Sequence, residues 1–126
     1  MVATDFDAER QYSEARFSAQ EVFRSDRTKV VLGYFEPGQF IPVHAPDSDV
    51  VVDVQRGTAL VRDGDEDRRV GPGDVVVVDA GTERGIKATG GDRLEALLVT
   101  APPPTDAEHD PVRRGIREGT FEPSAE

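Results

Sequence analysis

Between Gly38 and Ala88 the chain alternates short apolar runs with tight turns, and few folds accept that rhythm. Gly38 to Pro46 and Val50 to Val61 form a first half, Val70 to Arg84 a second, and the charged Asp63-Gly64-Asp65-Glu66 joins them. The runs are β-branched or aromatic, and glycines stand where the backbone must turn. Asp63-Gly64 is a hairpin signal. Such spacing predicts short antiparallel strands closed on one another, a small all-β barrel or jelly roll that hides its sheet edges.

The strands expected on this basis are Thr28–Phe35, Gln39–His44, Val50–Arg56, Thr58–Arg62, Asp67–Val70, Val75–Asp79, Ile86–Thr89 and Leu94–Thr100. Pro42 marks the second as irregular or at an edge. Val50–Arg56 and Thr58–Arg62 read as a hairpin around Gly57, and the last two strands as a hairpin around Gly90-Gly91-Asp92. The valine run from Val75 reads as buried on both faces. Residues 28–100 are therefore the barrel.

Residues 1–27 precede it as an N-terminal segment. Met1 to Glu9 reads as a mobile acidic tail and not as a signal peptide. Ala15 to Phe23 is read as an edge strand, although Ser18 and Glu21 also fit a helical capping box. Residues 101–126 begin with Ala101-Pro102-Pro103-Pro104, which is stiff and cannot pair into a sheet. Val112, Ile116 and Phe121 then suggest a tail that docks on its own barrel or on a second subunit.

Length and composition bound the rest. A chain of 126 residues fits a single domain with one core. There are no cysteines, hence no disulfides and no thiolate metal site. No apolar run nears the ~20 residues of a membrane span, so a cytoplasmic location is expected. The net charge of −10 repels nucleic-acid phosphates. Lys29 and Lys87 are the only lysines, against 25 carboxylates. That balance suits a halophilic protein, whose self-repulsion concentrated salt screens; a GC-rich genome that replaces Lys by Arg is the alternative.

The order of turns resembles the cupin superfamily, in its single-domain form. Gly38, His44 and Gly57 fall on the spacing of its first motif, and Gly73, Asp74 and Gly81 on that of its second. The resemblance implies a double-stranded β-helix over residues 28–100. It also implies where a metal would sit, and there this chain departs. The second histidine falls on Pro46, the glutamate on Val50, the last histidine on Arg84 and the asparagine on Ala88. Of four usual ligands His44 alone remains, and one imidazole does not hold a divalent ion tightly. No metal cofactor is expected; Asp47 and Asp49 beside His44 are the alternative donors.

Strict alternation puts Phe40, Pro42 and His44 on one face, with Val50, Val52 and Val54. The cupin register turns that face inward and adds Arg84 and Ile86. Tyr34 or Phe35 would bring a ring to the rim. The expected site is thus an apolar pocket of Phe40, Val50, Val52 and Tyr34 in which His44 and Arg84 receive a small, anionic molecule. A structural or regulatory module on the same metal-free fold is an equal form of this reading. The alternative is a cupin enzyme of the isomerase, epimerase or dioxygenase type, with or without a metal. It would use His44 as its catalytic residue with nearby carboxylates; Asp53 has the wrong parity to reach it. His109 is expected at the surface, and the working form is expected to be a homodimer.

Overall fold

The computed structural model describes residues 1–123; positions 124–126 of the expected tail lie outside the described residues. Nine strands form two antiparallel sheets. The first sheet contains β1 (Ser18–Arg24), β2 (Lys29–Phe35), β9 (Leu94–Ala101), β4 (Asp49–Arg56) and β7 (Val75–Val78), in that spatial order. The second contains β3 (Phe40–His44), β8 (Arg84–Thr89), β5 (Thr58–Asp63) and β6 (Glu66–Val70). Their facing sides enclose a core in which Phe35, Val54, Ala59, Leu94 and Ala96 are fully buried.

Two expected hairpins are corners instead. β4 pairs with β7 and β9, and β5 with β6 and β8, so the chain changes sheet at Gly57. Gly57 has φ +80°, and a Cβ there would stand 2.1 Å from the Arg93 carbonyl oxygen. Only glycine fits so tight a corner. The chain changes sheet again between β8 and β9, around Gly90 and Gly91. A glycine-led reversal looks the same in sequence whether its strands pair or part. Asp63-Gly64 does close a true hairpin, β5 with β6.

β7 is covered on one face only. It pairs with β4 alone, and Val75 and Val77 are exposed while Val78 is buried. Ser18–Arg24 is a strand, not the helix that a Ser18 capping box would start. It pairs with β2 through a bulge between Glu21 and Phe23.

The N-terminus is held rather than loose. Asp5 caps a single helical turn, α1 (Phe6–Glu9), by accepting from the Ala8 amide at 2.7 Å. Phe6 and Tyr12 both pack edge-on against Tyr34, and Tyr34 donates its hydroxyl to the Phe6 carbonyl at 2.7 Å. Arg10 and Tyr12 close on the buried carboxylate of Glu95 at 2.7 and 2.5 Å.

After the proline run comes α2 (Asp110–Glu118), with Pro111 in its first turn and Gly119 in the left-handed conformation at its end. It docks on its own barrel. Gly115 lets the helix approach β3 so closely that a Cβ would lie 2.5 Å from Pro42. Beyond it Phe121 meets Phe40 edge-on. No helix of the described residues is long and apolar enough to cross a membrane.

Candidate functional site

β3 does not alternate strictly. Ile41 pairs with Ile86 but His44 pairs with Arg84, so β3 spends one more residue than β8 over the same length. Pro42, which cannot donate to the ladder, lies in this bulge. The parity therefore flips: Ile41 and His44 face inward, while Phe40 and Pro42 face Phe121 and α2. Phe40, expected in the pocket, lies on the other side of its sheet. Tyr34 is likewise displaced. It is fully buried, but on the outer face of β2 beneath the N-terminal segment, and burial pushes its hydroxyl up to about 12. Phe35 points inward and stacks on Phe17 in the core.

Between the sheets lies a cavity of about 330 Å³, large enough for a small organic molecule. Its walls include Val31, Ile41, Val50, Val52, Ile86 and Leu98. Arg84 reaches it from the start of β8 and is only 6% exposed. Its Nε donates to the Thr82 carbonyl at 2.8 Å and its Nη2 to the Asp79 carbonyl at 2.7 Å. These bonds fix the guanidinium without neutralising it, and Nη1 has no partner among the described residues. Burial lowers its affinity for the proton, partly offset by the carboxylates of Asp49 and Asp63; arginine stays charged regardless.

His44 stands next to it. Its Nδ1 lies 2.9 Å from the Pro42 carbonyl. A carbonyl only accepts, so Nδ1 carries the proton and Nε2 of the neutral ring keeps a lone pair. Burial holds the imidazole below its ordinary pKa, and the charge of Arg84 adds to this, while the Pro42 carbonyl works the other way.

The tail contributes a residue that sequence reasoning placed at the surface. His109 lines the same cavity, together with Pro104, Val112 and Arg113. Burial lowers its pKa as well, helped by Lys29 and Arg113. The sequence signal was available in Val112 and Ile116, which implied docking, but not where the docked tail would lie. Lys29 and Arg16 complete the basic lining. Lys29 is half-buried and Arg16 lies over the Phe17 ring at 4.6 Å; neither has a carboxylate partner among the described residues. Arg113 is paired with Asp106 and Asp110. In a chain of net charge −10, this cavity has four cationic residues, two imidazoles and no Asp or Glu among its described lining.

Asp47 and Asp49 turn away. Both are exposed and neither lines the cavity. Asp49 accepts from the Ala80 amide at 2.9 Å, and the Asp47 amide donates to Glu108 at 2.7 Å.

Residues 31–100 match the family described as cupin domain. The chain belongs to the cupin family. Solved structures agree with that assignment. This cupin is 30% identical to the TT1209 protein of Thermus thermophilus, with a TM-score of 0.79 over 82% of this chain and 100% of that one. It is 26% identical to an RmlC-like cupin protein from Desulfovibrio desulfuricans, with a TM-score of 0.72 over 82% and 98% of the two chains. KdgF from Halomonas sp. shares the fold at 24% identity, TM-score 0.67, over 77% and 88%. Among curated proteins none matches.

The cupin fold implies a metal at the inner ends of these motifs, and the donors here do not fit one. Among the described residues no three His, Asp or Glu side chains converge. The guanidinium of Arg84, bound to two carbonyls, stands where a ligand would be. Electrostatically the cavity suits an anion.

Proposed function

We propose that this cupin is a metal-independent binding protein for a small organic anion, a carboxylate on an apolar body. One observation carries the reading: the cavity is apolar and basic, with no acidic residue in its described lining, inside a strongly acidic protein. Arg84 would bind the carboxylate through its unused Nη1, and the apolar walls would cover the body. The enzyme reading has less support, because a carboxylate is not found beside His44 in the cavity lining.

Isothermal titration of the purified protein with medium-chain and aryl carboxylates tests this. Saturable binding is expected, weakened roughly 10- to 100-fold by Arg84→Met and absent for the matched neutral amides. Equal affinity for acid and amide would remove the anion from the proposal. Iron, manganese, nickel or zinc retained at one ion per chain would overturn its metal-independence. The homodimer expected from the sequence stays part of the proposal; a light-scattering mass of one 13.7 kDa chain would remove it.

A further inference from the structure

One row of paired residues crosses the floor of the cavity. Val78, Val50, Thr100 and Lys29 are successive Cα partners on β7, β4, β9 and β2. All four line the cavity. Three strand spacings of about 4.8 Å separate the first from the last, so their Cα atoms lie about 14 Å apart.

The two ends of this row are chemically alike and the middle is not. At the β7 end Arg84 is bonded to the Asp79 carbonyl, one residue beyond Val78, with His44 beside it. At the β2 end stands Lys29, with His109 near it. Val50 and Val78 make the stretch between apolar.

A second observation marks the Lys29 end. Thr100 Oγ1 is buried without a hydrogen-bond partner, the one such side-chain atom among the described residues. Leaving a buried hydroxyl unmatched costs roughly as much as a lost hydrogen bond. Its neighbour across the ladder, Lys29, is an ammonium with no salt bridge to a carboxylate among the described residues. A hydroxyl and an ammonium on adjacent strands form the donor pair that an anionic oxygen takes.

We infer that the cavity recognises a two-headed ligand, an apolar body with an anionic group at each end, one head on Arg84 and the other on Lys29 and Thr100. This rests on the anion-binding reading above and narrows its ligand class. The two groups enter from opposite ends of the row, so a linear or aryl dicarboxylate with an apolar middle is the ligand class that matches both ends and the valines between them.

The test is calorimetric titration with two matched series, the dicarboxylates adipate to sebacate and the monocarboxylates hexanoate to decanoate. One member of the dicarboxylate series should bind roughly tenfold or more tightly than its monocarboxylate. Lys29→Met should abolish that advantage, weakening the dicarboxylate more than its matched monocarboxylate; Thr100→Val, nearly isosteric, should reduce it. Arg84→Met should weaken both series. Equal affinity for the two series, or an advantage that survives Lys29→Met, overturns the two-headed ligand while leaving the single-anion reading intact. Binding of neither series defeats the single-anion reading itself. Thermal melts of each variant separate lost binding from lost fold.

Discussion

Glu95 is 2% exposed on the outer face of β9, where a carboxylate is costly unless paired. Burial alone would raise its pKa; the hydrogen bonds of Arg10 and Tyr12 outweigh that and hold it below the ordinary range. Glu95→Gln should destabilise the protein by about 2 kcal/mol, read as a lower urea midpoint. The wild-type contribution is present above the ordinary glutamate range and is lost as pH falls through the lowered value. The two imidazoles act in a higher window. His44 and His109 titrate below 6.5 in the folded state, so the unfolded chain takes up protons first as pH falls. Stability should therefore drop between about pH 7 and pH 5, by at most about 1.4 kcal/mol per unit for each ring. A bound anion reverses the preference, since it favours the protonated rings. Affinity for a carboxylate should rise over the same interval, and His44→Gln with His109→Gln should flatten both curves. A melting temperature independent of pH in this window would contradict the assignment. His44 and Arg84 were legible as neighbours from motif spacing. Phe40 was misplaced because one extra residue in β3 inverts the face of what precedes it; Pro42 marks the strand as irregular, but strict alternation carried through it misses the flip.

The strands themselves were readable to within about three residues at their ends, because β-branched runs and glycine turns are local signals. Their partners were not. Gly57 and Gly64 look alike in sequence, yet one turns a corner between sheets and the other closes a hairpin. What separates them is the Arg93 carbonyl, a contact made 36 positions away (93 − 57). The same distance problem hid His109, which enters the cavity only because α2 lies against β3. Gly115→Leu tests that docking: its side chain would collide with Pro42. The barrel should stay folded while the tail detaches, seen as faster amide exchange from 107 to 118 and faster proteolysis there. Because the tail supplies one wall of the cavity, carboxylate affinity should fall in the same variant. Unchanged exchange and affinity would show that the helix is not held by this contact.

At the scale of the whole molecule, charge is divided rather than spread. Carboxylates dominate the chain, and the cavity gathers four cationic residues of which only Arg113 has a carboxylate partner among the described residues. Salt should therefore act in opposite directions on fold and on binding. Raising sodium chloride from 0.1 to 1 M shortens the screening length from about 10 to about 3 Å. It should relieve repulsion across the acidic surface and raise the melting temperature, while weakening the hold on a carboxylate. A melting temperature that stays level would remove the halophilic reading of the composition.

The free side of β7 shows how such a molecule survives crowding. Its outer backbone donors and acceptors are open, and Val75 and Val77 are bare, which is the template on which aggregates grow. Asp74 and Asp79 bracket the strand. Two copies meeting rim to rim would set aspartate against aspartate at both ends, whichever way they ran. The gatekeepers act through their charge. Replacing both aspartates by asparagine should therefore cloud concentrated solutions at neutral pH, read as light scattering against the wild type.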